Sequence, residues 1–175
     1  MNTKRSRISI KNHTFYAAVL TTLLLSTSGP ASSAGLEMHS VDDGSPVTLE
    51  NLTGQGKWTL VMIWATSCIL CRSQKPVISA FHDKHKNGDA HVIGVALDGV
   101  NNLGEVRKYI DEHHVTFPNY VSQMTLAASH YLGVTDEQFR GTPTYLLFSP
   151  EGELIGKNPG LLSAEAIENF IARKS

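Results

Sequence analysis

Cys68 and Cys71 are the two cysteines of this 175-residue chain, and two residues separate them. A bridge between them would close a very short loop, which adds little to stability through the entropy of the unfolded chain. The spacing suits thiol-disulfide chemistry better, although zinc sites share it. A structural zinc ion wants four ligands, commonly a second Cys pair or two histidines. No second pair exists, and His82 and His85 lie downstream. On a helix they would sit roughly 20 Å along the axis from Cys68.

The elements around the pair favour the redox reading. Trp58 to Trp64 (Trp-Thr-Leu-Val-Met-Ile-Trp) is a nearly continuous apolar run rich in β-formers. That is the pattern of a strand buried on both faces. Residues 69–86 read as a helix, with Val77, Ile78 and Phe81 on one face and Ser73, Lys75, Asp83 and Lys84 elsewhere. Cys68 thus follows a buried strand and opens a helix. Free N–H groups and the positive end of the helix dipole favour thiolate over thiol there. The thiolate is the attacking species in disulfide exchange. Cys68 is therefore the expected nucleophile. Cys71, one turn later, is the expected buried thiol that attacks the Cys68 sulfur and releases the mixed disulfide.

The remaining chain continues the alternation. His91–Leu97 reads as a second buried strand, 102–113 as a helix, and Val115–Val121 as a weaker strand interrupted by Pro118. Thr125–Leu132 reads as a short helix ending at Gly133. Thr144–Phe148 is a strand, Pro150-Glu151-Gly152-Glu153 a turn, and Leu154-Ile155 the start of a return strand. Ser163 is placed to cap a last helix carrying Ile167, Phe170 and Ile171. Residues 35–46 read as a loose lead-in, and Val47-Thr48-Leu49 with Leu52 as a short first element. Alternating strands and helices with a terminal hairpin predict an α/β fold with a central mixed β-sheet flanked by helices.

The N-terminus is a separate object. Lys4, Arg5, Arg7 and Lys11 precede the apolar run Phe15–Leu25, and Ala31-Ser32-Ser33-Ala34 follows. This is the order of a secretory leader, with cleavage after Ala34. The run is shorter than the ~20 residues of a membrane-spanning helix. The expected organisation is a signal peptide over 1–34, one domain over 35–175, and a periplasmic location. The leader holds four of the 15 Lys+Arg and none of the 16 Asp+Glu, so the mature chain carries a net charge of −5. That gives no reason to expect nucleic-acid binding. A monomer without cofactor or metal is expected.

Gly141-Thr142-Pro143-Thr144 has two readings: a turn proline before a strand, or a cis X–Pro bond facing the cysteines. In the second, Thr142 would offer its backbone to an extended partner chain. Taken together, Ile63-Trp64-Ala65-Thr66, Cys68-x-x-Cys71, Pro76, Gly141 to Phe148, Glu151-Gly152 and Gly160 resemble the thioredoxin superfamily. Within it they are similar to the TlpA/ResA-like secreted thiol-disulfide oxidoreductases, over roughly residues 46–173. The resemblance implies a thioredoxin fold, a redox pair at Cys68 and Cys71 and a cis Pro143. It also implies a reductase of secreted or periplasmic protein disulfides, fed by a membrane thiol electron carrier.

The departures bear on mechanism. Trp usually precedes the first cysteine of the family; here it is Ser67. A buried Asp six residues before that cysteine is replaced by Met62, and a Glu three residues after the second cysteine by Gln74. Both acidic proton acceptors for the resolving thiol are thus missing. Ile69 and Leu70 place apolar surface beside the nucleophile, suited to docking a partner segment. The alternative functions are a disulfide oxidase or isomerase, and a copper-binding chaperone of the same fold, whose relatives typically carry Cys-x-x-x-Cys and a distant histidine. A peroxidase of this fold expects Thr-x-x-Cys, which Thr66-Ser67-Cys68 does not supply.

Overall fold

The computed structural model describes residues 35–174. Seven strands form one sheet: β1 (Glu37–Ser40), β2 (Pro46–Thr48), β3 (Trp58–Trp64), β4 (Ala90–Ala96), β5 (Asn119–Val121), β6 (Thr144–Phe148) and β7 (Leu154–Pro159). Their spatial order is β2-β1-β5-β4-β3-β6-β7. The β3/β4 and β4/β5 pairs are parallel, and the other four are antiparallel. Four helices complete the fold: α1 (Ile69–His85), α2 (Leu103–Glu112), α3 (Met124–Thr135) and α4 (Ala164–Lys174). This is the expected mixed α/β sheet with flanking helices. Among the described residues no helix is long and apolar enough to cross a membrane.

β3 sits at the centre, and every one of its residues is buried. Successive side chains of a strand point to opposite faces. Leu60, Met62 and Trp64 accordingly join Cys71, Ile78 and Phe81 of α1 and Ile167 and Ile171 of α4 on one face. Val61 and Ile63 join Ile93, Val95, Leu146 and residues Ala127 and Tyr131 of α3 on the other. Both faces of β3 are thereby packed, and its C-terminal end delivers the chain to Cys68.

Two expectations change here. The lead-in is not loose: β1 pairs with both β2 and β5, and Met38 is buried. Its short Glu-Met-His-Ser sequence carries no strand signal of its own, because the pairing that makes it a strand comes from residues far along the chain. α3 runs past Gly133 to Thr135 and ends where Asp136 takes a left-handed conformation with φ 55°. A glycine inside a helix costs only about 1 kcal/mol, which the buried Ala127 and Tyr131 face offsets.

Candidate active site

Cys68 has extended backbone angles and is the N-cap residue of α1. Its Sγ accepts the backbone N–H of Cys71 at 3.1 Å. The first turn of α1 contains no acidic residue. A negative sulfur at this position therefore meets an N–H donor and the helix dipole with no carboxylate opposing it. Cys68 and Cys71 are joined as a disulfide, with Cα atoms 5.2 Å apart. Cys71 is fully buried and Cys68 half-buried, the asymmetry that an attacking and a resolving sulfur require. The loop before Cys68 is anchored: the Thr66 N–H and hydroxyl both donate to the Asp98 carboxylate, and Leu97 N–H donates to Trp64 O at 2.8 Å.

The Thr142-Pro143 peptide is cis. β6 pairs antiparallel with β3 so that Thr144 lies opposite Ile63. Thr142 and Pro143 therefore lie at the end of β3 from which Cys68 is reached. Pro143 O accepts from Gly160 N–H at 2.8 Å, and the Thr144 hydroxyl donates to Gly141 O at 2.6 Å. These bonds hold the proline from both sides, while Thr142 makes no backbone hydrogen bond among the described residues. Ile69 is 81% and Leu70 52% exposed. The structure thus brings Cys68, Cys71, Ile69 and Leu70 to one helix end and Thr142 and Pro143 to the same end of the sheet.

The residues at the missing acids are occupied structurally. Met62 is fully buried. Gln74 Oε1 accepts from the Tyr145 hydroxyl at 3.1 Å and from Leu162 N–H at 2.7 Å, tying α1 to β6 and to the segment before α4. Burial pushes the Tyr145 hydroxyl above its ordinary value, so it stays protonated and donates. His82 is also spoken for, since its Nδ1 accepts from Val92 N–H at 3.1 Å. His85 faces Glu168 and Asp89. Among the described residues no three His, Cys, Asp or Glu side chains are grouped to hold a metal ion.

Lys75 corrects the sequence reading. Its polarity places it on the solvent side of α1, yet it is 1% exposed. Its Nζ lies 3.1 Å from the centroid of the Trp64 ring, 5.6 Å from that of Tyr109 and 5.8 Å from that of Phe117, with no hydrogen-bond partner. Burial pulls its pKa down to about 7, and the charge of Asp98 opposes the shift. Trp64 beneath it is fixed, because its Nε1–H donates to Asn119 Oδ1 at 3.0 Å. The signal was present in the spacing: Cys71, Lys75, Ile78 and His82 recur at helical period, and all four are buried.

Comparison with known proteins agrees with this geometry. Residues 31–156 match the AhpC/TSA family, and the chain belongs to that family. The thiol-disulfide oxidoreductase YkuV of Bacillus subtilis is 30% identical over 130 residues, 73% of this chain and 82% of that protein. The thiol-disulfide oxidoreductase ResA of Oceanobacillus iheyensis is 26% identical over 129 residues, 74% of this chain. The chain spans 62% of the length of that ResA. The crystal structure of StoA from Bacillus subtilis superposes with a TM-score of 0.62 at 22% identity, covering 81% of this chain and 99% of that one. That likeness establishes the thioredoxin-type fold.

Proposed function

We propose that this AhpC/TSA-family chain is a thiol-disulfide oxidoreductase that works outside the cytoplasm and reduces disulfides of secreted proteins through Cys68 and Cys71. The observation that carries the reading is the Cys68 sulfur at the N-cap of α1, receiving the Cys71 N–H at 3.1 Å, with a buried second sulfur one turn away. The names of its relatives support the reaction class. The basic and apolar leader pattern of residues 1–34, which lies outside the described residues, supports the location. The direction follows the resemblance to the TlpA/ResA-like group.

The chemistry runs in two displacements. The Cys68 thiolate attacks one sulfur of a client disulfide, forming a mixed disulfide and releasing the other client sulfur as a thiolate that takes a proton from water. The Cys71 thiolate then attacks Cys68 Sγ, and the second client sulfur leaves. The client is reduced by two electrons and the Cys68–Cys71 disulfide forms. A dithiol donor, such as a membrane thiol carrier, returns the two electrons for the next cycle. An extended client segment pairs with the free backbone of Thr142 beside Pro143 and packs on Ile69 and Leu70. The protein acts as a monomer in this scheme. The copper-chaperone alternative lacks a grouped third ligand among the described residues.

The test is capture in the native compartment with Cys71→Ala, which leaves no sulfur to displace the client from Cys68. Secreted proteins held through Cys68 as mixed disulfides are the expected result. A reductase also requires a reduction potential around −250 mV or lower. A value around −120 mV would turn the direction to oxidation, and no captured protein thiols at all would end the reading.

A further inference from the structure

The resolving step needs a proton to leave Cys71. Cys71 is fully buried, so bulk water does not reach its sulfur. The two positions where an acid would stand hold Met62, which has no titratable group, and Gln74, whose Oε1 is committed to Tyr145 and Leu162. A thiol in that position ionises poorly on its own, because burial disfavours the charged form.

One turn along the same helix face stands a buried amine. Residues i and i+4 of a helix are neighbours, with Cβ atoms about 5–6 Å apart. Lys75 has that relation to Cys71, and both belong to the buried face of α1 that packs around Trp64. A lysine is rarely buried unless it is paired, and Lys75 Nζ has no hydrogen-bond partner. The Trp64 face attracts an ammonium, while burial disfavours it. The amine is therefore poised between its two protonation states close to neutral pH, the condition for efficient proton exchange.

We infer that Lys75 is the proton acceptor for Cys71 in the resolving step. The inference rests on the redox reading above. In the mixed disulfide, Cys71 Sγ–H gives its proton to the neutral Lys75 Nζ, leaving a thiolate beside an ammonium. The thiolate forms the bond to Cys68 Sγ, and the Cys68–client bond breaks with its electron pair on the client sulfur, which takes a proton from water. The closed disulfide is neutral, so the ammonium loses its partner and returns its proton to solvent. The groups that set this titration are few. Asp98, from the loop after β4, favours the ammonium, as does the Trp64 ring of β3. Tyr109 of α2 faces it with a buried hydroxyl that has no partner. Phe117 closes the remaining side, and on its own helix the titratable Cys71 and His82 share its buried face.

The test separates the two displacements over a range from about pH 5 to about pH 10, using a disulfide-bonded peptide and reduced full chain in single turnover. In the wild type the resolving rate should rise to a plateau through an inflection close to neutral pH. Lys75→Met should slow resolution about a hundredfold at pH 7 and replace the plateau with a continuous rise. Capture by Cys68, measured in a Cys71→Ala background with and without Lys75→Met, should not change. Adding Gln74→Glu to Lys75→Met should restore much of the lost rate, because it supplies a carboxylate on the neighbouring position. An unmoved pH profile, or equal slowing of capture and resolution, would overturn the role. Should Lys75→Met fail to fold, the Lys75 side-chain carbon signals of the wild type still decide it. Their titration should move to higher pH on reduction of the disulfide, and superimposable curves in both states would overturn it. A wild type that exchanges with no disulfide overturns the redox reading as well, whereas a cycling wild type with an indifferent Lys75→Met overturns this inference alone.

Discussion

The two faces of the central sheet are packed for different ends. On the α3 face, Val61, Ile63, Ile93, Val95, Leu146, Ala127 and Tyr131 form an apolar cluster. On the α1 face the same strands meet Cys71, Gln74, Lys75 and His82, together with Trp64 bonded to Asn119. Buried polar groups cost stability unless they are paired. Gln74, His82 and Asn119 are paired, and Lys75 is not. Both faces bury apolar side chains that stabilise the fold, and the α1 face also holds an unpaired amine.

Truncating an apolar side chain on the α3 face and removing the unpaired amine on the α1 face should therefore move stability in opposite directions. Ile93→Ala on the α3 face opens a cavity and should cost about 3 kcal/mol. The folded fraction should exchange disulfides at the wild-type rate. Denaturant unfolding with a parallel activity assay checks this, and a variant that unfolds easily and also resolves slowly would dissolve the distinction.

Lys75→Met should do the reverse, gaining stability as it loses resolving rate. The unfolded lysine titrates at its ordinary value of 10.5 and the folded one at about 7. Between those values the unfolded chain binds more protons, so this group makes stability rise with pH. Below about pH 7 its cost is present in full, and above 10.5 it is gone. Lys75→Met should thus be more stable than the wild type by on the order of 2 kcal/mol at pH 6, with the gap closing toward pH 10. Equal stability at both pH values would mean that the amine is solvated in the folded state.

The smallest stability effect belongs to the active-site rim. Replacing Ile69 and Leu70 together with serine removes exposed apolar surface and should leave stability within about 0.5 kcal/mol. Rates with small disulfides should hold while rates with unfolded protein clients fall. Unchanged rates with every protein client would remove these two residues from client docking.

Much of this arrangement could be read from the chain. β3 and β6 occupy the expected residues, because continuous apolar runs bounded by turn residues specify buried strands locally. The cysteine at the start of α1 follows from the strand-to-helix pattern, and the cis proline is what the resemblance to the thioredoxin superfamily implies. β1 was illegible because its residues become a strand only by pairing with β5. Lys75 was misplaced for a different reason. Its charged type points to solvent, while its spacing from Cys71 and Ile78 puts it on the core stripe. Polarity and periodicity disagree at that position, and the side chain there is a buried amine with no hydrogen-bond partner.

The proposed exchange depends most on the state of the Cys68 sulfur in the reduced protein. Thiolate absorbance followed against pH, with selective alkylation to assign each sulfur, measures it directly. The prediction is that Cys68 titrates well below the ordinary thiol value of about 8.5 and that Cys71 titrates above Cys68. A Cys68 that titrates near that ordinary value, level with Cys71, would contradict the claim that the N-terminus of α1 holds it as the attacking thiolate.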